Sequence, residues 1–355
     1  MRILSANNID RSEWSRLVAS SATGTWFQTP EAFDFFNAQK ELFKPFAIAI
    51  EKSESRVESR ESRELRGVCV GYVTVEKSVF KQFLTRRAII IGGPCLADDA
   101  TNEEVEELML AVRGLVVSGL GAPIYIESRN FNDYSRWIDS FASAGFEYKP
   151  HLNFHVDTSS VEVVEANLGK SRKRDIRTTI REGVSVVPIG DLKLEIGDLE
   201  REQKIQEFYA ILEKLYKTKV KTPLFPVEFF LELSKHKDAR FLLTELNGKI
   251  VGGTVCVAQE GKCLYEWFAC GEDGVYSHVF PSCYATYAGI RYAAEHYMPR
   301  FDMMGAGKPD EAYGVRDFKA KFGGKEVEHG RFLCVTKPLL YNMGVIGVKL
   351  LKKLK

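Results

Sequence analysis

The sequence predicts an α/β (α+β) fold built from two units of like element order, and three observations carry that prediction. A chain of 355 residues and 40.1 kDa exceeds what a single hydrophobic core ordinarily serves. Strand and helix signals follow one another as β-β-β-α-β-α-β in each half. The dipeptide Asn247-Gly248, between two alternating apolar runs, marks an antiparallel hairpin opening the second half. The halves do not align residue by residue, so the duplication rests on element order.

In the first half, strands are read at "PFAIAIE", "GVCVGYVTVEK", "AIIIGG" and "PIYIES", with helices over "NEEVEELMLAVRGLVV" and "YSRWIDSFASAG" and a closing strand over "FEYKPHLNFHV". The Glu/Ser/Arg run "KSESRVESRESRELR" has almost nothing to bury and is expected as a solvated hairpin loop. Between the halves, Ser159 and Glu162 form a capping box, and a helix from Lys170 to Glu182 ends at Gly183. A longer helix covers "EREQKIQEFYAILEKLYKTK". The second half gives strands "ARFLLTEL", "KIVGGTVCVAQ" and "CLYEWFAC", a helix over "SCYATYAGIRYAAEHY", strand "FDMMGAG", the short helix "DFKAKF" and strand "KEVEHGRFLCVT". The expected divisions are 1–157, 158–337 with the working cleft, and a basic amphipathic C-terminal helix over 338–355.

A net charge of +1 provides no broad surface for polyanions, so any such affinity must come from a local patch. Seven cysteines, an odd number without CxxC spacing, suit reduced thiols in a cytosolic protein, and structural zinc is not expected. His151 and His155 read as strand positions four apart, roughly 13 Å, too far for one ion. The first ten residues lack the apolar core of a signal peptide, and no run of about 18 apolar residues occurs. A cytoplasmic location is expected.

Two stretches carry chemistry. Lys170, Arg174, Arg177 and Arg181 stand at i, i+4, i+7 and i+11, one stripe of a helix whose Ile176 and Ile180 form another face. Six basic residues against one acid in twelve positions suit phosphate binding; a solvated face is the alternative. In "DFKAKFGG", Phe318 and Phe322 share a helical face, Gly323 or Gly324 can take the left-handed cap, and Lys319 points away from that anchor. Gly305 and Gly307 precede it in a loop where a ligand can approach backbone. Tyr265, Trp267 and Tyr284 are either core or cleft lining. The tail "PLLYNMGVIGVKLLKKLK" either packs on the first unit or touches anionic lipid at the inner membrane surface.

The stretches "SRKRDIRTTIREGVSV", "YAGIRYAAEHYMPRFDMMGAG" and "YGVRDFKAKFGGKEVE", with "GTWFQTPEAFDFF" near the start, resemble the Fem-type aminoacyl and peptidyl transferases of bacterial cell-wall synthesis. They are also similar to the wider Fem-like N-acyltransferases with tandem acetyltransferase-like (GNAT) units. The resemblance runs from about residue 24 to 336. It implies two GNAT-like units, with Lys319 stabilising charge in acyl transfer, Phe318 positioning it, and Lys170, Arg174, Arg177, Tyr313, Trp26 and Gln28 on the substrate side. It further implies a phosphate-bearing cell-wall or glycan precursor, aminoacyl-tRNA as donor, and no cofactor. Two departures leave substrate open: no stretch is long enough for the helical-hairpin arm of many Fem proteins, and neither "GGPCLADDATNEE" nor "GEDGVYSHVFPS" has the glycine pattern that cradles coenzyme A. An N-acyltransferase using an acyl thioester (acyl-CoA or acyl carrier protein) on an amino sugar, and a catalytically silent precursor-binding factor, remain the other readings.

Overall fold

In the computed structural model, residues 1–53, 63–76, 85–190, 197–220 and 222–353 are described. The "KSESRVESRESRELR" loop falls largely outside them, at 54–62. The chain divides into two units, Met1–His151 with His329–Lys355, and Leu152–Glu328.

The first unit is a mixed sheet of β1 (Arg2–Ser5), β2 (Phe43–Ser53), β3 (Arg63–Thr74), β4 (Ala88–Gly92), β5 (Cys95–Leu96), β6 (Tyr125–Asn130), β7 (Glu147–Lys149) and β15 (Arg331–Val335). Its order is β1-β2-β3-β4-β6-β15-β7, with β5 on β3. Only β4 and β6 run parallel among its described pairs, and the connection between them is α3 (Asn102–Gly119). A Thr101–Glu104 capping box starts this helix, and Val105, Leu108, Met109, Val112 and Val116 bury one stripe against the sheet. Before it come α1 (Arg11–Ser20) and α2 (Pro30–Ala38), and after it α4 (Ile138–Ser143).

The second unit repeats the plan in β8 (Leu152–Asp157), β9 (Ser185–Ile189), β10 (Ala239–Leu246), β11 (Lys249–Gln259), β12 (Cys263–Gly271), β13 (Arg300–Asp302) and β14 (Lys325–Glu328). Their order is β14-β8-β13-β12-β11-β10-β9. The expected β10–β11 hairpin forms, with Asn247 and Gly248 both at positive φ and Leu246 opposite Lys249. The helices are α5 (Val161–Asn167), α6 (Lys170–Arg181), α7 (Asp198–Leu215), α8 (Val227–Ser234), α9 (Pro281–Glu295) and α10 (Gly314–Ala320); α11 (Pro338–Lys353) follows β15.

The stretches read as single strands at 146–156 and 325–336 each break in two. Pro150, which has no N–H for a ladder, separates β7 from β8; Gly330, at φ 64°, lies between β14 and β15. At each break the chain leaves one sheet and enters the other, so β15 lies between β6 and β7, and β8 between β13 and β14. The expected divisions at 157 and 337 accordingly move to 151 and 328. Two local expectations also change. Ser160, not Ser159, caps α5 by accepting from the Val163 N–H, while Ser159 donates its own N–H to Asp157. Ile176 is buried, but Ile180, one turn further along the same side of the helix, is 47% exposed.

Candidate active site

In the second unit the sheet opens beside β12. Strands β12 and β13 pair in parallel from Cys263–Arg300 to Tyr265–Asp302 and no further, whereas β11 continues along β12 to Gly271. A shift of register between Val255 and Cys256 leaves Trp267 as a bulge where the strands part. Past Asp302 the chain follows β8 instead: the Met303 N–H donates to Phe154 and the Ala306 N–H to Leu152. In the first unit the corresponding parallel pair, β4 and β6, stays in register over its whole length, from Ala88–Ile126 to Gly92–Asn130. The opening therefore marks the second unit.

Lys319 reaches this opening from α10. Its ammonium donates to the carbonyls of Met303 and Gly305, the latter at 2.7 Å, which takes up two of its three N–H bonds. Both carbonyls are aimed by a turn in which Met304 adopts φ 53°, a left-handed conformation that strains a side-chain-bearing residue. Asp302 holds that turn by accepting from the Met304 N–H at 2.8 Å, and Asn153 by accepting from the Gly305 N–H at 2.8 Å. Asn153 also donates to Asp302 at 2.7 Å, and His155 Nε2 lies 3.1 Å from the other Asp302 oxygen.

Burial pulls the Lys319 ammonium below the usual lysine range, opposed by the charges of Glu266 and Asp302. Burial likewise pushes the Glu266 carboxyl above its ordinary value, opposed by Lys319. Thr254 donates to Glu266 at 3.2 Å. The two groups thus titrate toward each other at the point where the strands part. For Asp302, burial works upward, but His155 and Arg300 outweigh it and keep the carboxyl low. An ammonium with one N–H left for an oxygen, within electrostatic reach of a carboxyl of raised proton affinity, can stabilise an oxyanion, and such a carboxylate can accept a proton.

The structure gathers most of the predicted residues into the second unit. Lys170, Arg174 and Arg177, with Arg181, lie exposed along α6. Arg174 is 2.9 Å from Asp175, and Arg181 is 3.8 Å from Glu182. The start of α6 touches the end of α10, where the Gly169 N–H donates to the Lys321 carbonyl. Phe318 and Phe322 face each other with ring centroids 5.2 Å apart, and Gly323, at φ 78°, takes the left-handed cap after the helix. Tyr313 precedes α10 and lays its ring over Gly307, which sits at φ 81° and where a Cβ would meet that ring at 2.8 Å. Of the three aromatics, Tyr265 is buried core, and Trp267 and Tyr284 are half-buried.

Trp26 and Gln28 belong to the first unit. Gln28 is 0% exposed; its amide donates to the Val70 and Ile91 carbonyls and its oxygen accepts from the Val70 N–H, so it stitches β3 to β4. Trp26 is buried against Phe27 and Phe35. Both are thus buried and bonded within the first unit, where the resemblance had implied a substrate role.

Three further residues belong to the site. Arg172, buried within the helix whose exposed cations form the stripe, stacks its guanidinium 4.3 Å from the Phe318 ring and 5.0 Å from Phe322, and donates to the Phe318 carbonyl. Arg316, one turn before Lys319, donates to the carbonyls of Ala306, Lys308 and Pro309. It clamps the loop that follows the Lys319 turn. Glu266 is the third. The i, i+3 spacing of Arg316 and Lys319 was readable as one helical face, but its target, a run of carbonyls, leaves no mark in sequence.

Among the described residues, the start of α9 offers no ready phosphate cradle for coenzyme A. At the start of α9 the Ser282 N–H is taken by the Asp273 carboxylate at 3.1 Å, and the Phe280 N–H by Thr179 at 3.0 Å. A carboxylate where a pyrophosphate would rest repels it, so the residues do not fit that group in that place.

The acetyltransferase (GNAT) domain family matches residues 170–319. Curated protein sequences give no match. Among solved structures, the chain is similar to FemX, with a TM-score of 0.67 and 12% identity over 97% of this chain and 99% of that one. It is similar to the C-terminal domain of a putative lysylphosphatidylglycerol synthetase from Agrobacterium fabrum, with a TM-score of 0.57 and 14% identity over 96% and 95%. A tandem GNAT protein from the clavulanic acid biosynthesis pathway gives a TM-score of 0.51 and 10% identity over 94% and 97%. These likenesses are of fold, and they agree with the duplication read from element order. Residues 170–319, within the second unit, thus match the acetyltransferase (GNAT) domain model, and the whole chain shares its tandem fold with FemX and with a tandem GNAT protein.

Proposed function

We propose that the chain transfers an aminoacyl group from aminoacyl-tRNA to an amine of a phosphate-bearing cell-wall or surface-glycan precursor. The observation that carries the reading is the Lys319 ammonium, fixed on the Met303 and Gly305 carbonyls within electrostatic reach of Glu266, where β12 and β13 part. The acceptor amine attacks the ester carbonyl, and the third N–H of Lys319 receives the oxygen as its charge grows. Glu266 takes the proton released by the amine and returns it to the departing ester oxygen, so the C–N bond replaces the C–O bond and the carboxylate is restored. No covalent enzyme intermediate is needed. The exposed cations Lys170, Arg174 and Arg177 hold the precursor phosphates, and Arg172 ties their helix to the one that bears Lys319. Tyr313 borders the same loop. The aminoacyl donor is supported by the Fem-like resemblance and by the poor fit for coenzyme A, and it places the reaction on the cytoplasmic side, where charged tRNA is found.

The test is a product mass. Purified protein is incubated with a nucleotide-linked cell-wall precursor and either charged tRNA or acetyl-CoA. An added amino-acid residue, lost on Lys319→Ala, supports the reading. An added acetyl group assigns the thioester donor instead, and binding of precursor with no product from either donor sinks both in favour of a binding factor.

A further inference from the structure

Helix α11 leaves the first unit with an apolar stripe uncovered. Its root is fixed: the Thr336 and Lys337 N–H groups donate to the Ile124 carbonyl at 3.0 and 3.1 Å, and the Tyr341 ring packs 5.8 Å from Tyr125. Beyond that root, Leu339 is 82% exposed, Met343 66% and Ile346 57%, at i, i+4 and i+7, so one helical face presents three large apolar side chains to solvent. The helix has 16 residues, and no helix among the described residues is long and apolar enough to cross a membrane.

The sequence around this stripe has one sign of charge. After Glu328 there is no acidic residue, while Arg331, Lys337, Lys349, Lys352, Lys353 and Lys355 are all basic. A second copy of the helix on the same face would set cation against cation. A surface of anionic lipid matches both properties, taking the apolar side chains into its acyl boundary and the lysines at its headgroups. We infer that α11 is an interfacial helix that docks the protein on an anionic membrane surface through Leu339, Met343 and Ile346. The inference stands apart from the acyl-transfer reading, since it needs neither donor nor acceptor.

Full-length protein is sedimented with phosphatidylcholine vesicles with and without phosphatidylglycerol. The expected result is binding only when phosphatidylglycerol is present, weakened by salt, and reduced at least about tenfold by Leu339→Ser, Met343→Ser and Ile346→Ser together, with thermal melting unchanged. Replacing Lys349, Lys352 and Lys353 by glutamine leaves the exposed stripe intact and should weaken binding too, which keeps the test decisive if the serine variant folds poorly. Absence of vesicle binding, or binding that neither variant reduces, overturns the inference. So does a dimer in light scattering that the serine variant dissolves without vesicle binding by the parent, because the stripe would then serve a second copy.

Discussion

At the scale of single residues, the proposed chemistry rests on two groups whose proton affinities are moved toward each other. Glu266 must be ionised to take a proton, and burial raises its proton affinity; Lys319 must be protonated to hold an oxyanion, and burial lowers its own. The kcat profile should be a bell whose acid limb lies above the ordinary glutamate range and whose alkaline limb lies below the ordinary lysine range. Glu266→Gln should abolish the acid limb together with most of the rate. Lys319→Ala should cost at least about tenfold in kcat, about 1.4 kcal/mol of barrier. The sequence showed Lys319 through its phenylalanine anchors, but Glu266 is one of 48 acidic residues and nothing in the sequence singles it out. Its enclosure depends on a strand separation, which involves residues far apart in the chain.

At the scale of elements, α6 and α10 act as a joined pair. The stripe of exposed cations on α6 was legible from its spacing, and the buried Arg172 in the same run was not, because a charged residue off the stripe reads as more of the same solvated charge. What distinguishes it is the aromatic surface of another helix. Arg172→Met keeps the volume and loses the guanidinium that holds the Phe318 carbonyl. It should lower kcat roughly tenfold while leaving KM for the precursor nearly unchanged, and Arg172→Lys should not restore it, since an ammonium lacks the planar face. Arg174→Ala with Arg177→Ala should do the reverse, raising KM for the precursor and sparing kcat; equal loss in both parameters would remove the phosphate role from that stripe.

At the scale of the whole molecule, the duplicated plan was readable because strand and helix periods and the Asn247-Gly248 turn are local signals. The sheet that each closing strand joins was not, since partner choice in a sheet is non-local and only Pro150 and Gly330 hinted at the breaks. The exchanged strand β15 is held to β6 by charge as well as by its ladder: Glu127 meets Arg129 and Arg331, each at 2.8 Å. Burial pushes the Glu127 carboxyl up, and the two guanidiniums outweigh it, leaving it at about 2 against an ordinary 4.5. A lowered folded-state value means that the stabilisation is complete above about pH 4.5 and is lost as pH falls toward 2, on the order of 3 kcal/mol. Acid unfolding of the parent should therefore be steeper over that window than that of Glu127→Gln, as followed by circular dichroism. The same exchange sets an order of events during synthesis. Strand β7 emerges from the ribosome with the place beside it empty, and the strand that fills it follows about 180 residues later, so the first sheet can close only when nearly the whole chain is out. In pulsed hydrogen exchange during refolding, the amides of β7 and β15 should gain protection together and late, after the β10–β11 hairpin, and the protein should be slow to mature for its size.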